Sequence, residues 1–183
     1  MKRTKEIWGK LSRLIAVAYL SCYPTYTMTA LHFRPARPDE TDELTQVAIA
    51  SKRTWGYSDE LIALWTPEFT FTPDNIALRT VSVAEIAGDT VAVSSLCIAD
   101  AECELDDFWV RPSAIGIGVG RQLLEYTLAL ASRAGFDDVV VVSDPNAEGF
   151  YLRFGAIRVG LIESQPVGRF LPVLKLPTRN PSK

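Results

Sequence analysis

Apolar residues recur along this chain with two spacings, and their order predicts alternating strands and helices. In sequence order, the predicted elements are a strand at 31–36, a helix capped by Asp39 and ending near Lys52, short helices after Ser58 and Thr72, hairpin strands at 80–86 and 90–98, a strand at 103–110, a helix from Val119, a strand at 136–142, a helix at 144–155, and strands at 156–162 and 169–176. This order predicts a mixed α/β protein, in which helices flank a central, mostly antiparallel sheet of about seven strands.

Three glycines at alternate positions lie between a strand-like run and an amphipathic helix. Gly116, Gly118 and Gly120 follow a strand that Pro112 ends, and Val119 begins the helical spacing. Glycine tolerates positive φ and has no Cβ, so the backbone can approach a ligand closely. Because the first N–H groups of a helix are unpaired and the helix dipole is positive there, the stretch is typical of a phosphate site. A βα loop that binds nothing has the same pattern.

A second segment, residues 143–156, follows an apolar run at 139–142 and has the signals of a short helix at both ends. Asp144 suits the helix N-cap, Pro145 the first helical position, and Gly155 the position just past the end. These signals predict a helix of about three turns.

Together the two segments resemble the GNAT superfamily of acyl-CoA-dependent N-acyltransferases, and the resemblance covers residues 31–176. The phosphate-loop signature of that superfamily is Arg or Gln, two variable residues, Gly, one variable residue, then Gly or Ala. Ile115, Gly118 and Gly120 occupy the defined places here. Ile115 departs from the signature and offers no side-chain donor, so pyrophosphate binding would rest on backbone N–H groups. Arg121 is the nearest cation that could compensate.

The resemblance implies transfer of the acetyl group of acetyl-CoA to a primary amine of a small molecule or peptide, by direct attack in a ternary complex. The pantetheine arm would pair with the strand around Trp109, whose backbone N–H groups would also stabilise the oxyanion. Asn146 matches an asparagine that meets pantetheine, and Tyr151 a tyrosine near the thioester sulfur. The cofactor-binding residues implied are Phe108, Trp109, Val110, Gly116, Gly118, Val119, Gly120, Arg121, Asn146 and Tyr151.

Two side chains are candidates for the proton transfers. Tyr151 could protonate the departing thiolate, although it also fits the buried face of a helix. Glu104 lies fourteen residues before Gly118, the spacing at which the histone-acetylating branch of the superfamily carries its glutamate base. A lysine-like amine has a pKa of about 10.4 and is protonated at neutral pH, so a base is needed to remove the proton before attack. A solvated strand acid is the alternative for Glu104, since Asp106 and Asp107 lie nearby.

The acceptor pocket is expected at residues 51–57, between the first two helices, where this superfamily walls that pocket. Trp55 and Tyr57 are the candidate substrate-binding residues. Ordinary packing of the helix turn explains the same aromatic pair. The alternative function is a CoA-binding regulatory domain without turnover, which the departure at Ile115 leaves open.

Composition and charge narrow the partners. The chain has 183 residues and a formal net charge of −3, enough for one domain with a sizeable core. The acidic balance argues against nucleic acid and mildly favours a cationic amine acceptor. No metal is expected, because the cysteines and the single histidine lack metal-ligand spacing. Cysteines without a pattern indicate a reducing, cytoplasmic compartment. These residues are Cys22, Cys97, Cys103 and His32.

Residues 1–28 are expected to be an N-terminal extension, poorly ordered or helical, with Met1 or Met28 as the natural start. They carry five basic side chains against one acidic side chain, and their apolar run is too short to span a bilayer. A basic helix on a membrane surface is the alternative. The N-acetyltransferase domain is expected at 29–177, with a tail at 178–183. Homodimerisation, common in the superfamily, stays open.

Overall fold

The computed structural model describes residues 30–99 and 101–179, and these residues form one seven-stranded sheet with helices. The strands are β1 (His32–Pro35), β2 (Thr80–Ile86), β3 (Asp89–Ala99), β4 (Glu102–Val110), β5 (Asp138–Val142), β6 (Ile157–Ser164) and β7 (Arg169–Pro177). The helices are α1 (Thr41–Arg53), α2 (Asp59–Trp65), α3 (Pro73–Leu78), α4 (Val119–Arg133) and α5 (Glu148–Leu152), with short 3₁₀ helices at Thr66–Phe69 and Pro112–Ala114.

The sheet order is β1-β2-β3-β4-β5-β7-β6, and it is mostly antiparallel. The exception is the pair β4 and β5, which run parallel with α4 between them in sequence. β2 and β3 are joined by Ala87 and Gly88, both at positive φ (58° and 89°), as a two-residue hairpin turn requires. The predicted mixed α/β class, strand number and hairpin are confirmed.

Helices α1 and α4 cover opposite faces of the sheet, and β3 runs between them. Val93 of β3 packs in one apolar cluster with Leu44 and Val47 of α1. The neighbouring Ala92 packs in another with Leu123 of α4. Successive strand residues point to opposite faces, and β3 is covered on both sides, so its residues 90–96 are all buried. The inward helix faces predicted from the sequence are buried, namely Leu44, Val47 and Ala48 of α1, and Val119, Leu123, Leu124, Leu128 and Ala131 of α4.

The predicted cap of the first helix is wrong. Helix α1 begins at Thr41, and the residue before it, Glu40, makes no side-chain capping bond. Its carboxylate instead accepts from the Arg34 guanidinium at 2.9 Å and from the backbone N–H of Arg37 at 2.6 Å. The Arg34 hydrogen bonds outweigh burial and hold the pKa of Glu40 below its usual value. Asp39 is exposed and pairs with Arg37 at 3.7 Å, one position before the observed N-cap.

The second predicted cap, Asp144, is also wrong, and the helix that follows is shorter than expected. Helix α5 spans Glu148–Leu152, and its N-cap is Ala147. The Asp144 carboxylate accepts from the backbone N–H of Asn146 at 2.9 Å, which makes a turn rather than a helix start. Gly155 follows the helix end at a φ of 89°, as its position predicts.

Several sequence-based expectations fall on residues that are not described. The extension at 1–28 and Cys22 lie outside the described residues, as does most of the predicted tail. Within residues 30–99 and 101–179, no helix is both long and apolar enough to cross a membrane. In the same ranges, no group of three or more His, Cys, Asp or Glu side chains is arranged to hold a metal ion.

Candidate functional site

Strands β4 and β5 leave a gap in the middle of the sheet. Their parallel register pairs Glu104 with Val140, and no later β4 residue is registered against β5 in the described part of the chain. Asp106 is an extra residue in β4, because Ser95 faces Asp107 while the next β3 residue faces Leu105. Such a bulge bends the strand and increases its twist. The backbone edges of β4 and β5 are therefore open to a ligand.

A cleft of about 770 Å³ runs through this gap. Ten of the predicted site residues line it: Trp55, Glu104, Phe108, Trp109, Val110, Gly116, Gly118, Gly120, Arg121 and Tyr151. Three others do not: Tyr57 and Asn146 lie beside the cleft lining, and Val119 belongs to the core. The structure thus brings most of the predicted residues together, while the roles assigned to them stay predictions.

The glycine-rich loop turns into helix α4 at one end of the cleft. Gly116 and Gly118 have φ values of 85° and 90°, which favour glycine. The first helical bond runs from Gln122 N–H to the Gly118 carbonyl at 3.2 Å, so the N–H groups of the first turn have no partner within the helix. A Cβ at Gly120 would lie 3.6 Å from a methyl of Val110, so the helix start abuts the end of β4. An anion suits this arrangement.

The edge of β4 that faces the gap presents backbone N–H groups. On the opposite edge, Arg111 N–H donates to the Val91 carbonyl of β3 at 2.8 Å. Since successive N–H groups of a strand point to opposite edges, those of Val110 and Phe108 face the gap. Val110 N–H meets the Ser51 hydroxyl at 3.3 Å. Phe108 N–H is thus placed to donate to a carbonyl that enters the cleft.

Tyr151 lies under the open edge of β4. Its side chain is 5% exposed and packs edge-on against the rings of Phe108 and Phe150, at centroid distances of 6.1 and 5.2 Å. Burial raises the pKa of the phenol far above its ordinary value. The hydroxyl therefore stays protonated at neutral pH and can donate a proton to an anion formed in the cleft.

The acidic residues of β4 have different surroundings. Burial and the nearby charge of Asp106 raise the pKa of Glu104, which makes this cleft-lining carboxylate a stronger base than an exposed one. Asp106 pairs with Arg79. Asp107 is buried, accepting from the Ser95 hydroxyl at 2.6 Å and from the Trp109 indole at 2.9 Å. Asp107 therefore fixes the ring of Trp109 rather than facing the cleft.

Sequence reasoning missed a cluster at the carboxyl end of β5, which we call the Asp144 cluster: Lys52, Tyr57, Asp144 and Arg169. The Asp144 carboxylate accepts from Lys52 Nζ at 2.6 Å, from the Tyr57 hydroxyl at 3.0 Å and from Arg169 at 3.1 Å. Burial lowers the pKa of Lys52 despite this partner. Burial also opposes ionisation of Asp144, but its bonds, foremost that from Lys52, hold the pKa of the carboxyl below its usual value.

Aromatic rings surround the two cations of the cluster. Lys52 Nζ lies 5.0 Å from the ring centroid of Trp65 and 5.9 Å from that of Trp109. The Arg169 guanidinium lies 4.3 Å from Trp65. These contacts stabilise cations that are mostly removed from water. Lys52 and Arg169 are 117 positions apart in the chain, and no sequence pattern connects them.

Asn146 and Tyr57 are linked to each other at the rim of the cleft. The Asn146 amide donates to the Tyr57 hydroxyl at 2.9 Å, and that hydroxyl donates in turn to Asp144. The predicted cofactor segment and the predicted acceptor wall are therefore joined by a hydrogen-bonded chain.

A family model described as an acetyltransferase (GNAT) domain matches residues 77–155. The match runs from the end of α3 to Gly155 and so includes the gap, the glycine loop and Tyr151. Residues 77–155 therefore resemble a GNAT domain. The predicted resemblance to this superfamily is confirmed, and no curated protein matches the chain in sequence.

Solved GNAT structures share the fold of this chain. A GCN5-related N-acetyltransferase from Rhodopseudomonas palustris is 20% identical, with a TM-score of 0.66 over 84% of this chain and 98% of that one. A PaiA N-acetyltransferase from Thermoplasma acidophilum, solved with coenzyme A, is 17% identical, with a TM-score of 0.64 over 81% and 99%. A GNAT family acetyltransferase from Brucella melitensis, solved with acetyl-CoA, is 24% identical, with a TM-score of 0.57 over 78% and 96%.

Proposed function

We propose that this GNAT domain transfers the acetyl group of acetyl-CoA to a primary amine of a small molecule or peptide, by direct attack in a ternary complex. The observation that carries the proposal is the gap between β4 and β5, where one cleft joins an open strand edge, the start of α4 and the buried Tyr151. The family match and the CoA and acetyl-CoA complexes of the similar structures support acetyl-CoA as the donor.

The proposed binding mode uses the backbone more than side chains. The pyrophosphate would accept from N–H groups of Val119, Gly120 and Arg121, so Val119 takes part although its side chain is in the core. The pantetheine arm would pair with the Phe108 edge of β4 like an added strand. We assign Asn146 to the same arm, where its amide would exchange the Tyr57 hydroxyl for a pantetheine group.

In the proposed reaction, the amine nitrogen attacks the thioester carbonyl carbon and the carbon–sulfur bond breaks. Phe108 N–H stabilises the oxyanion that forms during the attack. Glu104 takes the proton of the amine, directly or through water, and Tyr151 gives a proton to the departing thiolate. The two groups act at opposite ends of the same transfer. The raised pKa of Glu104 makes it a stronger base, and the raised pKa of Tyr151 keeps its phenol protonated before the thiolate forms.

Free-thiol release from acetyl-CoA across a panel of amines tests this function. Thiol release that depends on an amine is expected, while a regulatory domain would bind acetyl-CoA and release none. Glu104→Gln should lower kcat/KM and recover part of it at high pH, where more of the amine is already neutral. Glu102→Gln, an exposed acid on the same strand, is the matched control. Full activity of Glu104→Gln at every pH would remove Glu104 as the base.

We also propose a cytoplasmic homodimer. The cysteines without a pattern support the compartment. The exposed edge strand β6 supports the dimer, because it has no strand beyond it in the described sheet and carries exposed apolar side chains. These side chains are Ile157, Val159, Leu161 and Ile162.

A further inference from the structure

The cations of the Asp144 cluster offer more hydrogen-bond donors than the protein uses. An ammonium has three N–H donors and a guanidinium has five. Among the described residues, Lys52 donates to Asp144 alone, and Arg169 donates to Asp144 and to the Ser164 hydroxyl at 3.0 Å. Both cations line the cleft. Donors without an acceptor among the described residues therefore lie beside the space where the amine must enter.

The carboxylate of the cluster has no free capacity. Asp144 accepts from three side chains and from the backbone N–H of Asn146, which fills its roughly four lone-pair positions. It is therefore not free to bind the ammonium group of an acceptor. With two cations against one anion, all largely shielded from water, the cluster has one positive charge without a partner. A charge in such a place calls for an opposite charge.

The other charged side chains that line the cleft do not supply this partner. Glu68 is exposed and its charge favours the protonated form of Lys52, but water screens it. Asp106 pairs with Arg79. Glu104 is assigned as the base that takes the proton of the amine. The remaining charged side chains of the lining, Arg121 and Arg153, are cations.

We propose that the acceptor is an amine that also carries a carboxylate, such as an amino acid, and that Lys52 and Arg169 bind that carboxylate. The proposal rests on the proposed acetyl transfer and names the acceptor class for the same cleft. A carboxylate can accept from the ammonium and from two N–H groups of a guanidinium at once. The overall acidity of the chain favours a cationic amine, but near, buried charges outweigh distant, screened ones.

Apolar surface beside the two cations fits the rest of such an acceptor. Trp55, Trp65, Phe69 and Trp109 line the cleft, and Trp65 and Trp109 lie within 6 Å of Lys52 Nζ. Because Asp107 and the Gln165 carbonyl hold the indole N–H groups of Trp109 and Trp65, these rings keep their orientation. The side group of the acceptor is therefore expected to be apolar.

Matched amines test the acceptor class. Free-thiol release from acetyl-CoA is compared within two pairs of amines, phenylalanine with phenethylamine and leucine with isopentylamine. Spermidine, a polyamine without a carboxylate, is tested beside them. The members of each pair differ only in the carboxylate. We expect kcat/KM to favour the carboxylate-bearing member by about 10- to 100-fold, the range of hydrogen bonds to charged groups. Equal rates within the pairs, or a preference for spermidine, would overturn the proposal.

Binding provides a separate measurement that needs no turnover. N-acetylphenylalanine and N-acetylphenethylamine are titrated calorimetrically into the protein in complex with CoA. Tighter binding of the carboxylate is expected, and equal binding or no binding of either compound overturns the carboxylate site. Absence of thiol release with every amine would instead overturn the proposed acetyl transfer, so the two failures are distinguishable.

Variants connect the preference to the two cations. Arg169→Gln and Lys52→Met should each reduce the preference within a pair to about twofold or less, while Arg169→Lys should keep part of it because it retains the charge. Arg53→Gln removes an exposed cation that pairs with Asp59 and should keep the full preference. Melting curves verify that each variant folds. If Arg169→Gln does not fold, Arg169→Lys and Lys52→Met test the assignment in its place. A full preference in the folded Lys52 and Arg169 variants would contradict the assignment.

Discussion

Asp144 illustrates how a single residue can match a sequence signal and serve another purpose. An aspartate before a proline is typical of a helix N-cap, but this carboxylate bonds Lys52, Tyr57 and Arg169. Its partners come from α1, the turn after α1, and β7. Local propensity cannot predict such contacts, because they depend on which distant elements the fold brings together.

The first prediction concerns the stability that Asp144 provides. Asp144→Asn would leave two buried cations without their carboxylate and should lower the free energy of unfolding by about 3–5 kcal/mol. Asp59→Asn, which removes an exposed partner of Arg53, should change it by no more than about 0.5 kcal/mol. Urea denaturation of both variants measures the difference.

The pH dependence of this effect has a definite sign. The pKa of Asp144 is lowered in the folded protein, so its stabilisation is present above the unfolded value of about 3.9 and is lost as the pH falls through the folded value. The difference in free energy of unfolding between Asp144→Asn and the unchanged protein should become smaller below about pH 4. If this difference did not change with pH, the carboxylate charge would not be the source of the stabilisation.

The second prediction concerns Tyr151. Tyr151→Phe keeps the ring that packs against Phe108 and Phe150, so the melting temperature and acetyl-CoA affinity should change little. If proton transfer to the thiolate limits the rate, kcat should fall by about 10²–10⁴-fold. Steady-state kinetics and calorimetry measure these quantities. Tyr126→Phe, at a ring stacked on Phe33, is the control. Reduced stability at unchanged kcat would make Tyr151 a structural residue.

At the scale of helices and strands, the sequence predicts where an element lies better than it predicts what that element does. Gly118 fits the start of α4 because glycine readily adopts its φ of 90°, and the apolar face of α4 follows from its helical spacing. The bulge at Asp106 has no such signal, because it arises from the register of β3 against β4. The glycine loop was therefore predictable from its own residues, whereas no pattern in the residues indicated the gap between β4 and β5.

The third prediction tests the start of α4. A Cβ at Gly120 would meet only ordinary contacts, the nearest at 3.6 Å from Val110, so Gly120→Ala should keep the fold. If the pyrophosphate lies against this backbone, the added methyl group should weaken CoA binding by about tenfold or more, a cost of at least 1.4 kcal/mol. Gly160→Ala on β6 should bind CoA normally. Titration calorimetry decides, and unchanged affinity in Gly120→Ala would refute the proposed phosphate contact.

For the whole molecule, hydrophobic pattern was sufficient to predict the fold class. Strands and helices were found in the correct order because each covers the sheet or faces the core with its own period. The Asp144 cluster was beyond reach, since it assembles side chains from α1, β5 and β7 across the middle of the sheet. The proposed acceptor site depends on this assembly, which explains why no pattern in the sequence pointed to it.

The fourth prediction concerns assembly through β6. If two copies pair along this edge, the chain should sediment as a dimer at micromolar concentration. Leu161→Lys places a charge on the exposed edge and should give a folded monomer. Leu78→Lys, at a more exposed apolar side chain on α3, should leave the dimer intact. Sedimentation velocity distinguishes the species, and a monomeric unchanged chain would contradict the proposal.

The sheet consists of two antiparallel halves, β1 to β4 and β5 to β6, whose register meets at Glu104 and Val140. Halves with so little shared hydrogen bonding can open separately, in the manner of independent units seen by amide hydrogen exchange. A cofactor that pairs with both open edges would join them into one cooperative unit. Acetyl-CoA should therefore slow exchange not only at Phe108 but also towards the Pro177 end of β7, which does not line the cleft.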